Sequence, residues 1–576
     1  MTHLPIKVLL LLTFFCIHSF LWGQKTYPVD YFSNPLNNNL SLAGNFGEIR
    51  PNHFHAGFDL KTNNREGLPV FAIGDGYISR IKISPFGYGK AIYITHPNGY
   101  TSVYAHLQSF NNTIQHFTKS VHYSKQSFEI DTLLTPNTLP IKKGEQIALS
   151  GNTGGSQGPH LHFEIRDSKT EMPINPYLFG YKITDNVKPS ILMVAIYPLS
   201  DEASINGQKS IKKIKAIYSN EKYSTPLNDT ITANGMIGFG IETFDTEISG
   251  GNKNGVYSIE LLNGGKRIYY HEMETFSFEN ARYVNAHIDY ADKQKSNSKI
   301  EKCFLSKNNK IEIYKDVINK GIIHFNDNDI HWIKFIVKDY AGNTSELMLK
   351  VKGTTQTITT DKIKTKNIFD CTKENKFNQE EIEIIIPSNA LYDDIDFSYS
   401  KTSAGKIAYA GIHKIHNTET ALQKAYTLRI KTNNIPDSLT NKACIISINK
   451  NGKIIYEGGT FENNWVTTQT KSFGNFTIGI DSAPPKILHS YKFDSEQKIN
   501  LSSNKTINTT ISDNLSGIKS YKATIDGNWI LMEYEAKQNL LFYTFDESIK
   551  SGNHTFKLEV TDNRNNTSIM LFNFKK

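Results

Sequence analysis

Short segments in which apolar and polar residues alternate recur along the chain, and this period of two predicts β-strands. In the segment 77–83 the alternation places Tyr77, Ser79, Ile81 and Ile83 on one face. Two further segments, 91–96 and 100–106, flank the turn Pro97-Asn98-Gly99 and predict a hairpin. Short runs of Tyr, Phe, Thr, Ile and Asn, separated by turn residues, recur along the rest of the chain. This pattern favours strands, so we expect a mostly β protein.

The length of 576 residues suggests about four domains at ~150 residues each. Residues 24–182 are rich in Gly and His and form the first predicted domain. Two later regions repeat one another and predict related β-sandwich modules, similar to bacterial immunoglobulin-like modules, at 187–352 and 483–576. The repeated pairs are Asp185 to Leu192 with Asp481 to Leu488, His331 to Asp339 with His554 to Asp562, and Asn343-Thr344-Ser345 with Asn566-Thr567-Ser568. The stretch 362–480 between them predicts a third β-sandwich of unassigned topology.

The N-terminus has the pattern of a secretory signal. Lys7 precedes the apolar run 8–22, and Gly23 follows it. The run is short for a membrane-spanning helix, and Phe14 and Phe15 before Cys16 argue against lipidation. We therefore expect residues 1–23 to be removed and the mature chain, without a membrane span, to work in the periplasm or outside the cell. An uncleaved anchor is the alternative.

Charge and cysteine content narrow the function classes. The formal net charge is +8, spread over the whole length without a basic stripe, so we expect no nucleic-acid partner. Beyond Cys16, the three cysteines Cys303, Cys371 and Cys444 are far apart and match no metal site, and we interpret them as small buried hydrophobic residues.

Candidate chemistry is concentrated in the first domain. His55 and Asp59 lie four residues apart, and His160 and His162 lie two apart on a predicted strand, where they share a face opposite Leu161 and Phe163. Each motif alone fits a structural role equally well. Together with His106 they form a set, because hydrolytic zinc sites use three N or O ligands and leave a fourth position for water. His55, Asp59 and His162 supply such ligands.

Two histidines remain beside this set. His106 and His160 can accept a proton from water, stabilise an oxyanion or protonate a leaving amine. The segment Gly151-Asn152-Thr153-Gly154-Gly155-Ser156 precedes the His160 strand. It fits a wall of a substrate groove or a plain loop, and we assign Tyr104, Gly154, Gly155 and Ser156 as candidate substrate-binding residues.

The order of these motifs over about 45–180 resembles the lysostaphin/LytM-type zinc endopeptidases, the duplicated-hybrid-motif peptidoglycan hydrolases. The motifs that carry the resemblance are Arg50, His55-x-Gly57-x-Asp59, Gly67-Leu68-Pro69-Val70, Asp75-Gly76, Tyr88-Gly89, His96, Tyr104-Ala105-His106-Leu107, Gly144-Glu145, Gly151-Asn152-Thr153-Gly154 and Gly158-Pro159-His160-Leu161-His162-Phe163-Glu164. The resemblance implies an antiparallel sheet with a narrow groove and one Zn²⁺ per chain on His55, Asp59 and His162. It also implies catalytic roles for His106 and His160, and cleavage of peptide cross-links in peptidoglycan.

Residues 111–140 interrupt this resemblance. They predict a short helix near 113–124 and a strand at 127–134, and we expect the insert to line or partly cover one end of the groove. Beyond residue 185 the sequence shows no His, Asp or Glu at ligand spacing. The scattered His271, His287, His413, His416 and His489 suggest structural or surface roles.

The C-terminal modules have three candidate roles: to space the first domain from a surface, to bind wall glycan or other envelope proteins, or to cover the groove. Two alternatives to a wall endopeptidase stay open. One is a non-catalytic protein on the same scaffold that binds the wall or activates another hydrolase. The other is a secreted protease that acts on Gly-rich proteins.

Overall fold

The computed structural model describes residues 26–226, 230–248, 250–355, 367–403, 409–492, 495 and 498–576. The predicted signal at 1–23 lies outside them. The described part is mostly strand, as the sequence predicted. Among its helices, none has the length and apolar character needed to cross a membrane.

The first domain is built on one large antiparallel sheet. Its strand order is β1-β4-β13-β8-β7-β6-β10, and a small sheet β5-β12-β9 lies beside it. The strands are β1 Leu42–Gly44, β2 Ile49–Arg50, β3 His53–Phe54, β4 Phe58–Lys61, β5 Pro69–Phe71, β6 Gly76–Ile83, β7 Lys90–Thr95, β8 Tyr100–Ala105, β9 Ser109–Phe110, β10 Ile130–Leu133, β11 Pro140–Ile141, β12 Gln146–Leu149, β13 His160–Asp167 and β14 Pro173–Ile174, with the helix α1 at Asn112–Lys125 and a 3₁₀ turn at Pro176–Phe179.

The predicted hairpin is confirmed as β7 and β8, and the alternation in β6 is corrected in one respect. Its register shifts between Ile78 and Arg80, which marks a β-bulge. Ile78 is therefore buried together with Ile81 and Ile83, although their positions differ in parity. One extra residue at Ser79 reverses the alternation, so Tyr77 and Ser79 do not share the buried face of Ile81 and Ile83.

The insert contains both predicted elements. Asn111 caps helix α1 by accepting a hydrogen bond from Ile114 N at 3.0 Å, and strand β10 extends the main sheet by pairing with β6. This is the sheet edge farthest from β4 in strand order. The face of α1 that carries Lys119 and Tyr123 contacts the last module. Lys119 Nζ lies 2.5 Å from Asp546 Oδ2, and the ring centroids of Tyr123 and Trp529 lie 5.0 Å apart.

The first module shares its packing with the first domain. Phe276 packs against Phe46 and Phe54, with ring centroids 5.0 and 5.6 Å apart, so the core of the first domain extends into this module, whose sandwich has a second core of its own. The module's elements are Ser190–Pro198, Ser204–Ile205, Lys212–Lys215, Ile217–Ser219, Lys222–Ser224, Ile231–Phe244, Ser258–Asn263, Lys266–Glu272, Ile300–Lys302, Tyr314–Val317, Ile323–Phe325, Ile330–Lys338 and Thr344–Gly353, with helices Val284–His287 and Tyr290–Ser296.

Each of the other two modules packs two sheets around one buried core. In the middle module the strands are Ile368–Phe369, Asn375–Gln379, Ile382–Ile386, Ile395–Asp396, Tyr399–Thr402, Ile412–Ile415, Tyr426–Lys431, Ala443–Ile448, Ile454–Gly458, Thr460–Glu462, Trp465–Thr470 and Gly474–Ile480. In the last module they are Lys486–Leu488, Lys498–Asn500, Thr506–Ser512, Ile518–Ile525, Asn528–Trp529, Glu533–Glu535, Leu540–Thr544, Asn553–Asp562 and Thr567–Lys575. Cys303, Cys371 and Cys444 are buried and free.

Candidate metal centre

Strand register brings the candidate ligands together. In the main sheet β13 lies between β4 and β8, so His162 lies directly opposite Asp59 on one side and Ala105 on the other. Residues directly opposite one another in a sheet point to the same face. The side chains of His162 and Asp59 therefore meet on the face away from Phe163 and Phe58, which are buried in the core.

Three ligand atoms form a nearly equilateral triangle. His55 Nε2 lies 3.0 Å from Asp59 Oδ1 and 3.0 Å from His162 Nδ1, and the last two atoms are 2.9 Å apart. Ligands about 2.0–2.1 Å from a tetrahedral zinc ion lie roughly 3.3 Å from one another, close to these separations. All three residues are buried, and the donor set of two imidazoles and one carboxylate suits Zn²⁺.

Neighbouring groups fix the orientation of each ligand. His55 Nδ1 donates to the carbonyl oxygen of Asn45 at 2.7 Å, which leaves the lone pair of Nε2 facing the triangle. His162 Nε2 donates to Glu164 Oε1 at 2.8 Å. Arg50 donates to the second oxygen of Asp59, Oδ2, at 2.6 Å. Each of the three residues thus has a partner behind it, an arrangement that raises metal affinity in zinc proteins.

The partners of Asn45 and Glu164 extend this support. The Asn45 side chain donates to the carbonyl oxygen of Gly255 at 2.7 Å and accepts from its N–H at 3.0 Å, so a loop of the first module holds it. Glu164 also accepts from Arg166 Nε at 2.6 Å and from the Tyr88 hydroxyl at 2.5 Å.

The electrostatics of the centre favour a charged Asp59. Burial alone would raise the pKa of Asp59, but the charge of His55 and hydrogen bonds from His160, His162 and His55 hold it well below its usual value. Burial alone would lower the pKa of His162, yet hydrogen bonds to Asp59 and Glu164, with the charges of both carboxylates, raise it to about 9. A metal ion bound at Nδ1 takes the place of that proton.

His106 reaches the centre through a special backbone conformation. Ala105 faces His162, so simple alternation would turn His106 to the core side of β8. Its φ of 58° is in the left-handed region, which returns the side chain to the groove. The ring centroid of His106 lies 4.8 Å from that of His160 and 5.8 Å from that of His162. Burial, followed by the charges of His162 and His160, lowers the pKa of His106 to about 3.

Both additional histidines present Nε2 to the centre. His106 Nδ1 donates to the carbonyl oxygen of Thr153 at 2.9 Å, and His160 Nδ1 donates to that of Gly158 at 2.8 Å. His160 Nε2 lies 3.3 Å from Asp59 Oδ1. With their Nδ1 atoms bound to main-chain carbonyl oxygens, the two rings are held beside the ligand triangle.

The Gly-rich loop forms one side of this space. A Cβ on Gly154, whose φ is +72°, would lie 2.3 Å from Gly89 N, so the two loop backbones touch and only glycine fits. Gly155 is exposed, whereas Ser156 is buried with its hydroxyl 3.2 Å from His160 Nδ1. Lys537 of the last module donates to the carbonyl oxygens of Asn152 and Ser156 in the same loop.

Tyr104 does not lie in the groove, which corrects one candidate substrate-binding residue. It is opposite Phe163 in the register and fully buried, and its hydroxyl accepts hydrogen bonds from Ile73 N at 3.0 Å and Ser102 Oγ at 3.1 Å. The even positions of β8 face the core, so Tyr104 supports the sheet from below.

The roles of the residues behind the three ligands, and several other clusters, were not predicted from the sequence. Glu164 and Arg166 continue the two-residue period of His160 and His162, so that period was an available signal; a main-chain contact such as that of Asn45 leaves no signal. The expectation of no ligand spacing beyond residue 185 is wrong. Strands distant in sequence bring together His271, His287 and Glu301; Asp185, Asp245 and Asp339; Asp370, Cys371 and Asp394; and Asp481, Asp513 and Asp562.

Two regions of the chain match known protein families. Residues 53–121 and 113–176 match the model described as peptidase family M23, and residues 366–481 match the model of a Zu5-like domain. The region from 53 to 176 contains His55, Asp59, His106, His160 and His162. The chain thus carries a peptidase M23 domain.

Individual curated relatives are similar to about a quarter of the chain or less. A Haemophilus influenzae protein named as an uncharacterized metalloprotease is 36% identical over 146 residues, 25% of this chain and 25% of that protein. The DD-carboxypeptidase/endopeptidase Mpg of Neisseria meningitidis is 34% identical over 122 residues, 21% of this chain and 22% of that protein. The chain thus spans about a quarter of the length of these relatives. The lysostaphin catalytic domain of Staphylococcus simulans is 24% identical, with coverage of 24% of this chain and 90% of that one and a TM-score of 0.18.

Proposed function

We propose that the peptidase M23 domain of this chain is a zinc endopeptidase that hydrolyses peptide cross-links of bacterial peptidoglycan. The observation that carries the proposal is the triangle of His55 Nε2, Asp59 Oδ1 and His162 Nδ1, with the imidazoles of His106 and His160 held beside it through their Nδ1 atoms. A purely structural cluster has no need for two further imidazoles with their Nδ1 atoms tied to main-chain carbonyls.

One Zn²⁺ per chain, held by His55, Asp59 and His162, would supply Lewis-acid chemistry, in which a bound water ionises at a pH of about 7 rather than 15.7. The chain's own groups then move protons. Nε2 of His106 or His160 accepts a proton from the attacking water and returns it to the leaving amine. An Nε2–H of the same pair donates to the oxyanion that forms at the scissile carbonyl.

The choice of peptidoglycan rests on relatives such as a Vibrio cholerae protein named as peptidoglycan DD-endopeptidase ShyB, which is 32% identical over 111 residues. We propose peptide stems of peptidoglycan as the substrate, with Gly154, Gly155 and Ser156 lining the groove. The same substrate requires the periplasm or the cell exterior, to which the predicted signal at 1–23 would direct the chain. The C-terminal modules would then contact the wall or other envelope proteins.

The test uses the mature full-length chain. Metal content is measured by mass spectrometry, and digestion of purified peptidoglycan is followed by mass spectrometry of the released muropeptides. We expect one zinc ion per chain and loss of cross-linked species, both abolished by His55→Ala and by a strong chelator. His53→Ala is the matched control, because the exposed His53 bonds only to the Pro51 carbonyl oxygen.

The possible outcomes separate the candidate functions. If His55→Ala kept full activity, the assignment of His55 as a metal ligand would be wrong. Preferential digestion of glycyl peptides in proteins would favour a general protease. Wall binding with activation of a separate hydrolase, but without cleavage, would favour the non-catalytic role.

A further inference from the structure

Three aspartates converge at the same end of each of two modules. One group is Asp185, Asp245 and Asp339, and the other is Asp481, Asp513 and Asp562. Within each group, one carboxylate oxygen of every residue lies within 4.8 Å of the others. The first member of each group lies where the chain enters the module, so both groups sit at junctions with the preceding domain.

Strand register shows that the two groups occupy equivalent positions. Asp185 lies five residues before Ser190, which pairs with Phe244, and Asp245 follows Phe244 directly. In the last module Asp481 lies five residues before Lys486, which pairs with Ser512, and Asp513 follows Ser512. The same entering strand and the same partner strand therefore supply the first two aspartates.

The third aspartates share a hydrogen-bond pattern. Asn343 Nδ2 donates to Asp339 Oδ2 at 2.7 Å and to the Asp185 carbonyl oxygen at 3.4 Å. In the last module Asn566 Nδ2 donates to Asp562 Oδ2 at 2.6 Å and to the Asp481 carbonyl oxygen at 2.9 Å. Two modules of different sequence thus keep one arrangement of three carboxylates, which a chance surface cluster would not do.

Oxygen atoms in both groups are buried without hydrogen-bond partners among the described residues. In the first they are Asp245 Oδ1 and, on the neighbouring loop, Asn254 Oδ1. In the second they are Asp481 Oδ1, Asp513 Oδ1 and Ser516 Oγ. Asp245 is only 5% exposed and Asp481 only 1%. A buried polar atom without a partner is destabilising, and more so when it is charged, so a bound cation would relieve this cost.

The first group also faces a cavity. Asp185, Asp245 and Asp339 line a space of about 210 Å³ together with Tyr177, Tyr257 and Lys182. Burial, with the charges of Asp185 and Asp339, raises the pKa of Asp245 to about 8. Full ionisation of the three carboxyl groups is therefore unfavourable without a counter-charge, and the Lys182 side chain forms no ion pair with them in the described part of the chain.

We propose that each of these two modules binds one Ca²⁺ ion, held by Asp185, Asp245 and Asp339 in the first and by Asp481, Asp513 and Asp562 in the last. Calcium takes six to eight oxygen ligands and accepts carboxylates, main-chain carbonyls and hydroxyls together. Magnesium keeps several waters and suits such a buried site less well. Zinc is less suited, because neither group offers a nitrogen or sulfur ligand. The ions would fasten each module to the domain before it.

The experiment uses the full mature chain with zinc supplied, so that the histidine centre is filled. Ca²⁺ binding is measured by calorimetry after dialysis against a calcium chelator. We expect two Ca²⁺ ions per chain and a rise of roughly 5–10 °C in the Tm of the transition that contains the modules, at a concentration about 100 times the Kd. Sensitised Tb³⁺ emission from the nearby Tyr177 and Tyr257 reports the first site separately.

Variants distinguish ion binding from a structural role. Asp245→Asn and Asp513→Asn should each leave one ion per chain, and their combination none, while the exposed Asp437→Asn keeps both. In calcium-free buffer Asp245→Asn should be at least as stable as the wild type, since it removes one of three crowded charges. The proposal is overturned if the wild type binds no calcium up to roughly 10 mM, ten times the weakest extracellular affinities. It is also overturned if Asp245→Asn and Asp513→Asn keep two ions, or lower Tm equally with and without calcium.

Discussion

Among the described residues there are two buried groups of two histidines and one carboxylate, and one of them has the features expected of a reaction centre. His55, Asp59 and His162 form the first group. In the second, His287 Nε2 lies 2.9 Å and His271 Nε2 3.6 Å from Glu301 Oε2, and both imidazoles are completely buried. Residue types and distances are thus similar in the two groups.

The surroundings differ. Beside the first group lies His160, whose side chain is 14% exposed, and His106 lies next to it, so solvent reaches this group. The second group is enclosed by Tyr269 and Tyr314, whose hydroxyls bond to the two Nδ1 atoms. A buried imidazole pair on a carboxylate serves packing as well as metal binding, so solvent access and the two additional histidines, rather than composition, favour the first group as the proposed catalytic one.

The largest expected effect separates metal binding from catalysis at the accessible group. His106→Ala should keep one zinc ion per chain, because His106 lies outside the ligand triangle. Its turnover should fall by roughly 10²–10⁴-fold, the usual contribution of a general acid or base. Zinc content and muropeptide release are measured on the same sample, with His53→Ala as the control. Unchanged turnover would exclude His106 as a proton carrier.

A smaller effect is expected from the partner behind His162. Glu164→Gln removes the negative charge that accepts the His162 Nε2–H, and loss of such a partner lowers metal affinity by about 10–100-fold. Competition with a chromophoric chelator gives the zinc affinity. Glu171→Gln is the matched control, since its side chain is 57% exposed and bonds to the same Arg166. Equal affinities for the two variants would contradict the supporting role of Glu164.

The enclosed group is tested through pH. Burial holds the pKa of His271 well below its usual value, so His271 stays neutral in the folded protein while the unfolded chain takes up a proton near pH 6.5. The free energy of unfolding should therefore fall as the pH drops below about 6.5, by up to ~1.4 kcal/mol per pH unit from this residue.

His271→Phe should remove that share of the pH dependence and leave muropeptide release intact at pH 7.5. Urea unfolding at pH 7.5 and 5.5 measures the pH dependence of the free energy of unfolding. His324→Phe is the control, because His324 is exposed. If His271→Phe keeps the wild-type dependence, His271 is not the buried neutral group described here.

The smallest effect concerns access to the catalytic group. Lys90 Nζ lies 2.7 Å from Glu533 Oε2, and Lys537 donates to a carbonyl oxygen of the Gly-rich loop. The last module therefore contacts segments beside the histidine centre. Glu533→Ala should raise kcat/KM on intact peptidoglycan by at most roughly fivefold, since such a partly exposed ion pair is worth about 0.2–1 kcal/mol. A small peptide substrate is the control, because it should gain less. Equal gains on both substrates would mean that the module does not limit access.

Much of the fold and of the histidine centre was predictable from sequence, because both depend on local periods. Alternation predicted β7 and β8, and the two-residue spacing of His160 and His162 predicted their common face. The bulge at Ser79 was missed because one extra residue leaves no mark in the composition. Because side chains alternate along β8, Tyr104 must face away from Ala105. Only the pairing of Ala105 with His162 showed that Ala105 is on the side of the histidine centre.

The aspartate groups were missed for another reason. Each combines one residue from an entering linker with two from strand ends far along the chain, so no local spacing marks it. The repeats around Asp185 and Asp481, and around Asp339 and Asp562, predicted related modules. Only the pairing of strands showed that the repeated aspartates meet.

The contact between Asn45 and Gly255 has a consequence for anyone who would reuse the catalytic unit. The motifs alone suggest that residues 24–182 are a self-contained unit. However, Asn45, whose main-chain carbonyl oxygen accepts from His55, is itself held through its side chain by Gly255 of the neighbouring module. Cut out and fused to a foreign partner, the fragment would keep every ligand and lose the brace on one of them. The catalytic unit is therefore larger than its motifs suggest, and its practical boundary lies beyond residue 255.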